Sequence, residues 1–208
     1  MVKVLGPMFS FEASGTIGKI ATFSKWKGRP YVRQRVIPTN PKSVLQVSTR
    51  AMMRFLSQEW LGIGTTPKGS WEDLAAAGQY SPFNAYIGRN MNRWREFQPP
   101  AQTYPPPETG TLPTAALTSA TGGASYADLL ITMTTLANAW GVMLFHSLTG
   151  MFSPSRANCI LVAPITAAAT TVFTISNLEA QTHYFDAKFF TTEGVLGPDE
   201  GEVDCLVF

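Results

Sequence analysis

Leu178-Glu179-Ala180-Gln181-Thr182-His183-Tyr184 is the stretch on which the fold turns. A leucine closing one strand, a short turn, then Thr-x-Tyr opening the next is the tyrosine-corner pattern. In that pattern the phenol bonds back to the turn and pins the crossover from one sheet to another. The reading therefore predicts a strand on either side of the corner, in different sheets.

Working outward, short β-branched and aromatic runs recur about every dozen residues. They are Leu129–Thr134, Ala139–His146 (weakly alternating), Cys159–Ala163, Thr171–Ile175, His183–Phe189 and Val203–Phe208. Six or seven such strands with turn residues between them predict an all-β sandwich. With Trp140 on the third strand, residues 111–208 resemble a fibronectin type III domain, of the immunoglobulin-like kind, in which Ala180 stands where the corner usually has proline.

Upstream, Gln98-Pro99-Pro100-Ala101-Gln102-Thr103-Tyr104-Pro105-Pro106-Pro107 carries no charge and five prolines. Such a run cannot enter a helix interior or a central strand and favours extended polyproline geometry. It marks 98–110 as a spacer between an N-terminal part, 1–97, and the sandwich, 111–208. Within 1–97, Ile17–Trp26 alternates apolar and polar residues. Lys27-Gly28-Arg29-Pro30 turns the chain and Tyr31–Ile37 continues, which predicts a β-hairpin that must pack on something else to be stable.

Three helices then follow. Asn40-Pro41 reads as a cap with proline at the first helical position, ahead of an apolar stripe through Val44, Met52, Phe55 and Trp60 that Gly62 and Gly64 end. Ser70 with Asp73 reads as a capping box for a second helix, and Pro82 to about Phe97 as a third. The expected fold class is thus α+β in two parts: hairpin plus short helices, then a β-sandwich.

Composition restricts the chemistry. The charged fraction is 14%, well below the usual quarter, which suits a surface covered by neighbours. Residues 1–110 hold fourteen Lys/Arg against six Asp/Glu, net +8, and residues 111–208 hold two against eight, net −6. Opposed halves suggest two modules that attract a neighbour of the other sign, a second copy included. Met1–Leu5 runs into Gly6-Pro7 with no apolar leader, no stretch predicts a membrane span, and two cysteines, Cys159 and Cys205, make no disulfide framework.

No nucleophile elbow, phosphate loop, dinucleotide fingerprint or zinc spacing occurs, so the expectation is a protein without catalytic function, cofactor or metal. The densest acidic group, Asp199, Glu200, Glu202 and Asp204, reads as a solvated loop ahead of a calcium site. His146 and His183 read as surface or sheet-packing residues.

The candidate site is a protein interface on the hairpin: Lys19, Phe23, Lys25, Trp26, Lys27, Arg29, Tyr31, Arg33 and Arg35. Basic strands interleaved with aromatics also suit a nucleic-acid backbone. The alternation, however, would set several of these charges on the face opposite the aromatics, a layout for pairing with an acidic protein neighbour.

Three segments carry a second resemblance. They are Gly15-Thr16-Ile17-Gly18-Lys19 through Lys27-Gly28-Arg29-Pro30-Tyr31-Val32-Arg33, then Pro38-Thr39-Asn40-Pro41-Lys42-Ser43 with Gln46 in register, then Trp71-Glu72-Asp73-Leu74-Ala75 followed by Phe83-Asn84-Ala85-Tyr86. In this order, over residues 13–97, they resemble a group of tailed-bacteriophage and prophage virion proteins. The resemblance implies a virion component assembled in the host cytoplasm: a capsid decoration protein, or a tail or head–tail accessory with a host-binding sandwich. Its partners would be a major capsid or tail protein and copies of itself, with nucleic acid as the lesser alternative and no membrane.

Overall fold

The computed structural model describes residues 3–4, 13–18, 20–27, 29–37, 39–40, 42–135, 138–165 and 168–208. The chain forms two compact units, residues 1–41 and 42–208.

The first unit is a four-stranded antiparallel meander of β1 (Lys3–Val4), β2 (Ala13–Ile17), β3 (Ala21–Trp26) and β4 (Arg29–Gln34). The expected hairpin is its β3–β4 half. Trp26 pairs with Arg29, leaving a two-residue loop, and Lys27 takes the positive φ (47°) that such a tight hairpin requires. Pro30, which has no N–H to donate, lies on the edge strand β4, where proline is tolerated and discourages further pairing.

The second unit contains α1 (Val44–Glu59), α2 (Thr65–Gly78) and α3 (Pro82–Arg95), then β5 (Ala115–Gly123), β6 (Tyr126–Met133), β7 (Ala139–Ser147), β8 (Cys159–Pro164), β9 (Thr170–Ser176), β10 (Thr182–Thr191) and β11 (Val203–Leu206). The strands make two antiparallel sheets, β5-β6-β9 and β11-β10-β7-β8. Lettered A to G along the chain, these are A-B-E and G-F-C-C′, the arrangement of a fibronectin type III-like sandwich.

Two cores lie on opposite faces of the four-stranded sheet. Leu129, Ile131, Val142, Leu144, Phe185 and Phe189 fill the space between the sheets. Met143, Phe145, Val162 and Phe190 instead meet Met52, Phe55, Trp71, Tyr86 and Trp94 of the helices. Residues 140–145 of β7 are consequently all buried, which is why its alternation is weak in the sequence. Trp140 belongs to the helix-side core and not to the sandwich interior. Its ring centroid lies 5.0 Å from that of Phe55, and its indole N–H donates to the Glu59 carboxylate at 2.9 Å.

This double use of one sheet displaces the expected boundary. The division into 1–97, 98–110 and 111–208 differs from the compact units, which part between Pro41 and Lys42, because the helices cannot bury their apolar faces without the sandwich. Nor does the proline run act as a spacer. Pro99, Pro100 and Ala101 are buried. The Asn90 side chain bonds both backbone groups of Ala101 (3.0 and 2.9 Å), Trp71 Nε1 donates to the Gln102 carbonyl (2.6 Å) and Arg93 Nε donates to that of Pro99 (2.8 Å). Gln102 N and Glu108 N in turn donate to the Thr192 and Glu193 carbonyls. A segment that cannot form a ladder is bonded group by group to helices on one side and a sandwich loop on the other.

Two helix starts differ from expectation. Lys42 has φ 49°, a break that delays α1 to Val44 with Ser43 as its cap, so Asn40-Pro41 does not open the helix. Helix α2 opens at Thr65 after Gly64, which places Ser70 inside it. There its hydroxyl donates to the Pro67 carbonyl and accepts from Tyr104 N, and no capping box forms. Helix α3 starts as expected, with Ser81 Oγ accepting from Asn84 N.

Candidate interaction surface

The N-terminal sheet is built by register. Phe23 pairs with Val32, Ser24 with Tyr31, Thr22 with Arg33 and Trp26 with Arg29. Directly opposed residues share a face, so Thr22, Ser24, Trp26, Tyr31 and Arg33 lie on one side and Phe23, Lys25 and Val32 on the other. A 3.2 Å contact between the Thr16 and Thr22 hydroxyls extends the first face onto β2.

Arg33 therefore lies beside Trp26 and Tyr31 and not opposite them, contrary to the expected separation of charge from aromatics. The two-residue turn sets that phase. At its tip Lys27 Nζ sits 4.9 Å from the Trp26 ring centroid, within cation–π range. Arg35, just past β4, donates weakly to the Gly18 carbonyl (3.4 Å). Lys19 lies outside the described residues, and Arg29 is placed here by its backbone pairing alone.

Among the residues of this unit whose exposure is described none is buried. Trp26 is 65% exposed, Val32 59%, Ile20 76% and Ile37 70%. A sheet normally covers at least one face with a second layer, and here these large apolar groups are exposed. The motif residues of the helical segment serve otherwise: Trp71, Ala75 and Tyr86 are core, and Phe83 packs edge-on against Trp60.

The corner that decides the sandwich is made by a different residue from the one expected. His183 is buried and Tyr184 only half-buried, facing the other way. His183 Nε2 donates to the Glu179 carbonyl at 2.9 Å, the bond back to the turn that the phenol was expected to make. That leaves His183 Nδ1 as an acceptor for His146 Nε2–H at 2.7 Å, with the two rings stacked at 5.0 Å. Desolvation, and secondarily the other imidazole, hold the His146 pKa down at about 4. Both histidines are thus sheet-packing residues at the end of the inter-sheet core.

The acidic loop is occupied by the protein itself. Asp199 pairs with Lys188, and the Glu202 carboxylate accepts from Met151 N and Phe152 N. Among the described residues no group of three or more His, Cys, Asp or Glu is arranged to hold a metal ion, and no helix is long and apolar enough to cross a membrane. Cys159 and Cys205 are free and lie in different cores, on opposite faces of the sheet; burial pushes the Cys159 thiol up to about 12.

No protein-family model and no curated protein matches the chain. Among solved structures, a β-1,2-glucanase from Parabacteroides distasonis matches 48% of the chain at 11% identity and TM-score 0.39. A Jonesia denitrificans lytic polysaccharide monooxygenase matches 44% at 13% identity and TM-score 0.33. An Fn3-like protein from Clostridium thermocellum matches 47% at 14% identity and TM-score 0.32. The chain covers only 13% of the glucanase and 58% of the monooxygenase, but 96% of the Fn3-like protein. At such scores the assignment of the sandwich rests on its own strand order, and the neighbours' activities stay with those proteins.

Proposed function

We propose that this chain is a non-catalytic structural component of a tailed-bacteriophage particle, a capsid decoration protein that docks on a virion neighbour through its N-terminal sheet. The observation that carries the reading is a compact sheet without a buried residue among those whose exposure is described, presenting Trp26, Tyr31 and Arg33 on one face with Lys27 at its tip. Desolvated aromatic and arginine side chains are the residue types that dominate binding energy at protein interfaces.

Charge adds direction. The 1–41 unit carries seven Lys/Arg against one Asp/Glu (net +6) and the 42–208 unit nine against thirteen (net −4), so an acidic shell protein or the second unit of another copy is the matching partner. The phage resemblance of residues 13–97 supplies the virion setting.

The test is mass spectrometry of purified particles. The wild-type chain should be present in stoichiometric amounts, and the triple variant Trp26→Ala, Tyr31→Ala, Arg33→Glu should fall at least tenfold in incorporation while remaining folded in the lysate. Absence of the wild-type chain, or full retention of the variant, overturns the reading.

The shared placement of Arg33 with two aromatics also suits single-stranded nucleic acid. That second reading requires binding to an oligonucleotide at low salt that weakens steeply as salt rises and is lost on Arg33→Glu with Arg35→Glu.

A further inference from the structure

Strand β8 ends its sheet, paired only with β7, and a groove of about 500 Å³ runs along its free side between α1 and Phe173 of β9. The phase of the β7–β8 ladder says what this edge offers. Ile165 N donates to the Trp140 carbonyl (3.1 Å), which makes Pro164–Gly141 a non-hydrogen-bonded pair. The backbone of Ala163 therefore turns toward β7, while the N–H and C=O of Val162 point away from it, into the groove. Pro164 has no N–H for the next outward position, so the edge admits a short added strand centred on Val162 and resists indefinite pairing.

The walls specify that strand's side chains. Val162 faces the helix-side core, so a residue laid beside it faces α1. There Arg50, Arg54 and Gln58 recur every four residues along one exposed ridge, with Lys42 at its end, and no acidic residue lines the groove among the described residues. Residues on either side of that position turn to the opposite wall, where Ile160, Leu161 and Phe173 are apolar.

We propose that this edge is a peptide-binding groove that takes an extended partner segment of alternating acidic and apolar residues as an added strand beside β8. The site lies wholly within residues 42–208 and stands apart from the role of the N-terminal sheet.

The test titrates the full ¹⁵N-labelled chain with the peptide acetyl-Ser-Glu-Val-Glu-Val-Glu-Ser-amide. Binding should shift the Val162 amide and slow its hydrogen exchange. Lys42→Glu with Arg54→Glu should weaken binding at least tenfold, with thermal stability checked alongside. The lysine-for-glutamate peptide should not bind. Neither should a peptide N-methylated at its three glutamates and two valines, which loses its N–H donors in either strand direction, a control that needs no protein variant.

No binding at millimolar peptide overturns the proposal. So does affinity indifferent to the charge reversal, or a Val162 shift that grows with protein concentration alone, which would assign the edge to a second copy.

Discussion

His183 holds the corner of the sandwich, and His146, stacked on it, makes the fold pH-sensitive. His183 bonds the Glu179 carbonyl through one nitrogen and accepts from His146 through the other, so a charge on His146 would be desolvated against the stacked imidazole. The His146 pKa in the folded protein lies near 4, below its ordinary 6.5. The unfolded chain therefore binds the extra proton first as pH falls, and folding stability, full above about 6.5, declines until about pH 4. Because His146 is partly open to solvent, the loss is discounted to about 1–2 kcal/mol.

Asp186 and Glu200, whose pKa values are raised chiefly by burial, act in the opposite direction, so the comparison must be with a variant. His146→Gln keeps a donor for His183 and does not titrate. Its melting temperature should fall less between pH 7 and pH 4 than that of the wild type; parallel curves would exclude the pair as the source. The sequence marked this corner correctly but credited the adjacent tyrosine. Which of two neighbouring residues faces inward depends on the phase in which β10 leaves the turn, and Thr-His-Tyr offers a ring at both positions.

At the scale of elements, two close approaches decide what can be changed. A Cβ on Gly122 would stand 1.9 Å from the Leu206 carbonyl oxygen, so β5 meets β11 only because that residue has no side chain. Gly122→Ala should destabilise the 42–208 unit by about 1–3 kcal/mol in urea denaturation. The proline strap makes a second test. Asn90→Ala would leave both backbone groups of Ala101 buried without their partners, for about 2–4 kcal/mol. That loss should appear in one transition shared by helix and sandwich probes; two separated transitions would mean that the strap links and does not lace.

Strand β5 was not legible in the sequence. Ala-Ala-Leu-Thr-Ser-Ala-Thr-Gly-Gly has a single large apolar residue, and its place is dictated by neighbouring strands rather than by its own pattern. The six other sandwich strands and α3 were legible, since each carries its own apolar run or cap. The strap's role was not, because proline content reports what a segment cannot form and says nothing of what packs against it. On the N-terminal sheet the shared face of Trp26, Tyr31 and Arg33 was not legible, since the pairing of Trp26 with Arg29 fixes the register and no residue pattern announces it.

At the scale of the whole molecule, the chain divides into a sheet with nothing buried among the residues whose exposure is described and a unit with two cores on one shared sheet. Residues 42–208 alone should melt in a single transition at the full-length temperature. Residues 111–208 alone should aggregate, because they would expose Trp140, Met143, Phe145 and Phe190. A soluble, cooperatively folded 111–208 fragment would restore the boundary at the proline run. Shedding 1–41 without loss of stability is what a docking element, as opposed to a core element, requires.

If a virion neighbour completes this sheet, as proposed, a cryo-electron microscopy map of purified particles will show the contact. Density for the chain is expected on the particle, with Trp26, Tyr31 and Arg33 packed against another subunit. Particles lacking the chain, or a chain present with that face open to solvent, would contradict it.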